Sequence, residues 1–135
     1  MSNRILICGD RNWVDAEALC AVLSQHLNPT SDYVIHGCAR GADTHGGDIA
    51  KALGVPKDHI LRFPANWTKY HKAAGAIRNQ QMLDEDKPTL ILAFHNHIAV
   101  SKGTKGMIRK ALKASLPVYL NGKKLPVKIA ASTFW

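Results

Sequence analysis

The sequence predicts an α/β fold: a three-layer, Rossmann-like domain with a mainly parallel sheet of about five strands, plus a C-terminal hairpin or edge strand. Three observations predict it. Apolar runs alternate with helix-periodic segments along the whole chain. The strongest runs, Ile5-Leu6-Ile7-Cys8 and Thr89-Leu90-Ile91-Leu92-Ala93-Phe94, are continuously apolar, as strands buried on both faces are. No internal repeat or linker interrupts the pattern, so residues 1–135 read as one domain.

The elements follow in order. Ile5–Cys8 is the first strand. Asp15 to Leu27 is a helix, its stripe made by Ala18, Leu19, Val22 and Leu23. Tyr33–His36 is the second strand. Asp43 or Thr44 can cap a second helix carrying Ile49, Ala50 and Leu53, which Gly54-Val55-Pro56 ends. Ile60–Phe63 is a third strand, stopped by Pro64, and Ala74–Asp84 a third helix. Thr89–Phe94 is the fourth strand, Thr104–Ala114 the fourth helix and Pro117–Leu120 the fifth strand. Asn121-Gly122 is a tight-turn signal between that strand and Leu125–Ile129, which predicts the terminal hairpin. Phe134 and Trp135 either pack back on the domain or face another subunit, so a homo-oligomer stays open.

Composition narrows the class. Hydrophobic residues at 46% and charged residues at 21% are ordinary globular values. No apolar run approaches the roughly 20 residues of a membrane span. Met1-Ser2-Asn3-Arg4 leads straight into a strand without a signal-peptide core, so a cytoplasmic location is expected. Cys8, Cys20 and Cys38 are odd in number and lack CxxC spacing, which favours small buried thiols over disulfides or zinc. The net charge is +8, with all ten acidic residues at or before Asp86 and nine Lys/Arg after it. Such a half either binds polyanions or forms a solvated basic face.

In an open parallel sheet, ligands bind beyond the carboxyl ends of the strands. Those ends collect the polar residues of this chain. The first strand delivers Gly9, Asp10, Arg11 and Trp13. The second delivers Gly37, Arg40, Gly41 and Asp43, whose glycines allow close approach and whose arginine suits phosphate. The helix after this loop is expected to aim unpaired N–H groups back at it, completing an anion cradle. The third strand leads through Trp67 and His71 to Arg78 and Asn79. The fourth leads to Lys102-Gly103-Thr104, a phosphate grip of small residues, a hydroxyl and a helix start. It is not a P-loop, and no G-x-G-x-x-G follows the first strand.

Trp13 and Trp67 either stack on a base or roof the core. His36, His45, His71, His95 and His97 share the predicted edge, His95 and His97 on one face if extended. Without a carboxylate–His cluster no metal is expected, and no cofactor is predicted.

Five ordered motifs carry a family resemblance: Gly9-Asp10-Arg11-Asn12-Trp13, His36 to Asp43, Phe63-Pro64-Ala65-Asn66-Trp67, Ala74 to Asn79 with Met82-Leu83, and Gly103 to Ile108. Over about residues 4–120 the chain resembles the YspA/cpYpsA-related branch of the SLOG superfamily. Relatives of that branch include the DNA-processing protein A (Smf) family and the lonely guy phosphoribohydrolases. The resemblance implies a Rossmann-like fold with a nucleotide or nucleotide-derived ligand. It places Gly9 and Arg11 in a first ligand loop, Gly37, Arg40, Gly41 and Asp43 in a second, Arg78 and Asn79 in a helix motif, and Gly103-Thr104 in a phosphate-holding pair. The phosphoribohydrolases carry a catalytic Glu three positions after that Thr; here Met107 stands there, and Ser101-Lys102 replace a Gly-Gly.

The expected function is therefore binding of a nucleotide-derived small molecule at the carboxyl edge, as sensor or ligand-processing domain. Two alternatives stand beside it. One is N-glycosidase-like cleavage of a nucleoside monophosphate, with Asp43 or Asp10 in place of the missing Glu. The other is single-stranded nucleic-acid binding through the basic half and exposed Trp residues. No membrane partner is expected.

Overall fold

A computed structural model of the chain describes residues 2–126. The strands are β1 (Arg4–Gly9), β2 (Tyr33–His36), β3 (Ile60–Arg62), β4 (Leu90–Phe94), β5 (Val118–Leu120) and β6 (Lys123–Lys124). The helices are α1 (Ala16–His26), α2 (Ala42–Ala52), the single turn α3 (Trp67–Tyr70), α4 (Ala74–Asp86) and α5 (Gly103–Lys113). They form one six-stranded sheet in the order β3-β2-β1-β4-β5-β6. All pairs are parallel except β5 with β6. The fold is α/β and Rossmann-like, and strand order reverses between β1 and β4.

Continuous apolarity in the central strands has a direct cause. On β1, Ile5 and Ile7 join Leu19 and Leu23 of α1 and Ala50 of α2 in one core layer. Leu6 and Cys8 face the other way, onto Met82 of α4 and Met107 and Ile108 of α5. On β4, Leu90, Leu92 and Phe94 belong to the first layer and Ile91 and Ala93 to the second. Both pleat faces are therefore dry, and a polar residue on either would be buried without a partner.

Two glycines let α2 lie close to the sheet. A methyl group at Gly46 would press on the Ile7 side chain, and one at Gly47 on the His36 imidazole. α1 begins where Asp15 accepts a hydrogen bond from the Ala18 amide at 3.0 Å, so Asp15 is an N-cap. For α2 the cap is Gly41; the expected caps Asp43 and Thr44 lie inside the first turn. Asp43 is instead drawn inward onto the Gly37 amide.

The amino edge of the sheet is stitched by its own polar groups. Asp32 accepts the Asn3 and Asn28 amides, both at 2.8 Å. Arg4 pairs with Asp86 at 3.7 Å and lies over the Tyr33 ring.

Asn121 and Gly122 both take positive φ, 50° and 86°, and turn β5 into β6. The hairpin's second strand starts two residues before the expected Leu125–Ile129, at Lys123–Lys124, a correction set by the two-residue turn. Leu125 still donates to the Val118 carbonyl at 2.8 Å. Residues 127–129 and the aromatic pair Phe134 and Trp135 lie outside the described residues. Among the described residues no helix is long and apolar enough to cross a membrane.

Candidate functional site

The loops after β1 and β2 meet. Gly9 ends β1 with φ 155°, and the Asp10 amide donates to the Phe94 carbonyl at 2.8 Å, tying the β1 exit to β4. The Asp10 carbonyl then accepts from the amides of Trp13 at 3.0 Å and Ala42 at 3.1 Å. Gly41, φ 74°, has no room for a side chain: a methyl there would overlap the Asp10 carbonyl and the Arg11 backbone. Arg11 and Arg40 thus leave from abutting segments. Both are exposed, and neither has a hydrogen-bond or ion-pair partner among the described residues. The carboxylate nearest Arg11 in sequence after Asp10, Asp15, is occupied as the α1 cap.

The Gly37 peptide is gripped on both sides. Its N–H donates to the Asp43 carboxylate at 2.9 Å, and its carbonyl accepts from Arg78 Nη1 at 2.5 Å. Arg78 Nε in turn donates to Asn79 Oδ1 at 2.8 Å. Cys38, next along, takes φ 63°, a left-handed conformation unusual for a residue with a Cβ. Such strain persists only where neighbours enforce it.

Part of the expected cradle is taken up by the protein's own groups. The Ala42 and Thr44 amides of α2 are already bonded, to the carbonyls of Asp10 and Ala39. The anion at Gly37 is internal: it is the buried carboxylate of Asp43. Arg78 and Asn79 brace this loop, so the structure gives them a positioning part. The grip at the start of α5 is satisfied in the same way. Ser101 Oγ accepts from the Thr104 amide at 3.1 Å, and Thr104 is itself buried. Lys102 and Gly103 are exposed, and a methyl at Gly103 would meet nothing. This loop leaves the same edge because β4 runs parallel beside β1. Asn121 steadies its start: its side chain accepts from the His95 amide and donates to the His95 carbonyl.

The two tryptophans separate. Trp13 is 7% exposed, its ring against Phe94 and its Nε1 donating to the Asp15 carbonyl at 2.8 Å. It roofs the core, the second of the two places the sequence allowed it. Trp67 is 60% exposed at the same edge. His95 and His97 do not share an extended face, because the His97 amide donates to His95 Nδ1 in a turn. Among the described residues no three His, Cys, Asp or Glu gather as metal ligands. Of the cysteines only Cys8 is buried; Cys20 and Cys38 are half-buried.

Two buried groups at this edge titrate abnormally, in opposite senses. Burial pushes the Asp43 carboxyl up to about 6, although the Arg78 charge and the Gly37 and Ala39 amides pull it down. Burial first, then Arg62, pulls His36 down to about 4, with Asp48 opposing and Arg78 assisting. Folded Asp43 keeps its proton where the unfolded chain has lost it. Its contribution to stability is complete below pH 3.8 and lost as pH rises through about 6. The contribution of His36 is complete above pH 6.5 and lost as pH falls through about 4. Each window is worth on the order of 3 kcal/mol, so the two offset each other between pH 4 and 6.5. Asp43→Asn is expected to leave stability climbing with pH across that window, and His36→Gln to leave it falling. Urea unfolding at several pH values reads this, and an Asp43→Asn profile parallel to wild type would contradict it.

A hollow of about 620 Å³ lies elsewhere, lined by Leu83, Asp84, Lys87, Lys110 and Lys113 among others. It sits between the carboxyl ends of α4 and α5. Lysines there complement the negative helix ends, and Lys110 donates to the Ala76 carbonyl at 3.2 Å.

Comparison with known proteins places the chain in a family. The model of the YspA, cpYpsA-related SLOG family matches residues 3–70, which include Arg11, Arg40, Asp43 and Trp67 and end before Arg78. The Gene 61 protein of Mycobacterium phage D29 is 36% identical over 129 residues, covering 90% of this chain and 98% of that protein. No solved structure matches the chain.

Proposed function

Because the chain belongs to the YspA, cpYpsA-related SLOG family, we propose that it binds a nucleotide or nucleotide-derived small molecule at the carboxyl edge of its parallel sheet, as a sensor or ligand-processing domain. Family membership is consistent with binding or processing of a nucleotide-related ligand. One observation carries the reading to this edge: two guanidiniums without a partner among the described residues, Arg11 and Arg40, leave from abutting loops beside the point where strand order reverses. Guanidinium forks recognise phosphate bidentately, so these side chains supply the anion contact. Lys102 adds a third exposed cation from the loop after β4.

Binding is favoured over N-glycoside cleavage by what the carboxylates are doing. Asp43 is engaged with Gly37, and Asp10 accepts the Asn12 amide at 2.9 Å. Met107, at the position of the phosphoribohydrolase Glu, is wholly buried in the core.

Thermal-shift measurements against nucleoside mono-, di- and cyclic phosphates and dinucleotides test the reading. A ligand at a hundredfold excess over its Kd raises stability by about 2.7 kcal/mol, a shift of several degrees. At least one member of the panel is expected to give it. No shift with any of them would overturn the proposal.

A further inference from the structure

Trp67 stands out once the arginines are placed, because its indole is exposed where most tryptophans are covered. Its position is set by its neighbours. Asn66 caps the turn, its Oδ1 accepting from the Lys69 amide at 3.0 Å, which makes Trp67 the first residue of α3. Gly75, on the first turn of α4, lies beside the ring. A methyl built there would lie 3.7 Å from Trp67 Cη2 and 3.9 Å from Arg78 Nη2. The indole and the Arg78 guanidinium therefore flank one glycine, and the same guanidinium holds the Gly37 carbonyl. A continuous wall runs from Trp67 through Gly75 and Arg78 to the strained Gly37–Cys38 loop.

We propose that Trp67 is the stacking surface for the base of the ligand, so that the site takes nucleotides with an aromatic base rather than sugar phosphates alone. This rests on the reading of the carboxyl edge given above. Cationic and aromatic features lie on opposite sides of β2: Arg11 follows β1, and Trp67 follows β3. Two strand spacings, roughly 10 Å, separate those exits. A nucleotide with its phosphate at Arg11 and Arg40 and its base toward Trp67 lies across the Gly37 loop. An indole face accepts any base, so the stacking contributes affinity without selecting among them.

Isothermal titration of the full chain tests this with two probes, the nucleoside monophosphate giving the largest thermal shift and ribose 5-phosphate. Trp67→Ala is expected to weaken the nucleotide by about tenfold or more, as loss of a base-stacking contact does. Trp67→Phe should restore most of that affinity. Ribose 5-phosphate should bind wild type and Trp67→Ala within about twofold of each other, since it has no base to stack. Nucleotide affinity unchanged in Trp67→Ala overturns the proposal while leaving the edge as the site. Equal losses for both probes also overturn it, assigning the indole to loop structure. If Trp67→Ala instead alters self-association alone, the indole serves a protein contact. A wild-type chain that binds no nucleotide removes the underlying reading as well.

Discussion

Gly41→Ala is expected to cost about 3 kcal/mol or more of folding stability, and with it any nucleotide response. The backbone at Gly41 has φ 74° and ψ −126°, a region that residues with a Cβ rarely enter. The added methyl would also collide with the Asp10 carbonyl and the Arg11 backbone, neither of which has a flexible end to swing aside. The Asp10 carbonyl already takes the Trp13 and Ala42 amides, so displacing it breaks both bonds. Relief therefore requires the two arginine-bearing loops to separate. A fall in Tm of roughly 10 °C follows for a domain of this size. Gly103→Ala is the control: its methyl meets nothing, and an ordinary helical backbone tolerates it. Its stability should stay within about 0.5 kcal/mol of wild type. Similar thermal denaturation curves for the two variants would contradict the close loop contact.

Removing both exposed guanidiniums is expected to have the largest effect on ligand affinity. Charge-assisted hydrogen bonds contribute about 1.5–3 kcal/mol each, so Arg11→Ala and Arg40→Ala should each weaken the stabilising nucleotide by about tenfold or more. Together they should lower affinity by about a hundredfold. Stability is a separate readout. Neither side chain has a partner among the described residues, so urea midpoints should barely move. Arg→Lys at either site should recover only part of the loss, because an ammonium keeps the charge and loses the planar fork. Calorimetric titration distinguishes these outcomes. A double Ala variant that binds as wild type does would place the anion elsewhere.

The architecture was legible in the sequence for a physical reason: both faces of β1 and β4 are buried, so their letters had to be apolar without alternation. Tyr33–His36 appears with its expected bounds, and the long helices shift by a residue or two at their ends. The rim was legible as a set of loops, since chemistry collects at the strand ends. Hydrogen-bond occupancy was not. The letters show that Gly37–Asp43 can bind an anion, while only three dimensions show that Asp43 itself supplies one. Nor does a Gly-Thr pair reveal that Ser101 has already claimed the Thr104 amide. Trp13 and Trp67 read alike because each follows a strand; their fates diverge because Trp13 turns back onto Phe94 while Asn66 holds Trp67 on an outward turn. Gly46-Gly47 carried a signal in its adjacent glycines within a helix, whose cause is the approach of α2 to Ile7 and His36.

Amide-resolved NMR titration with the stabilising nucleotide tests the location of the site most directly, because two separated regions compete for it. Shifts should concentrate at Asp10–Arg11, Cys38–Gly41, Gly75–Arg78 and Lys102–Gly103, along the carboxyl edge. Perturbations confined to Asp84–Lys87 and Lys113–Leu116, around the hollow between the ends of α4 and α5, would contradict the account.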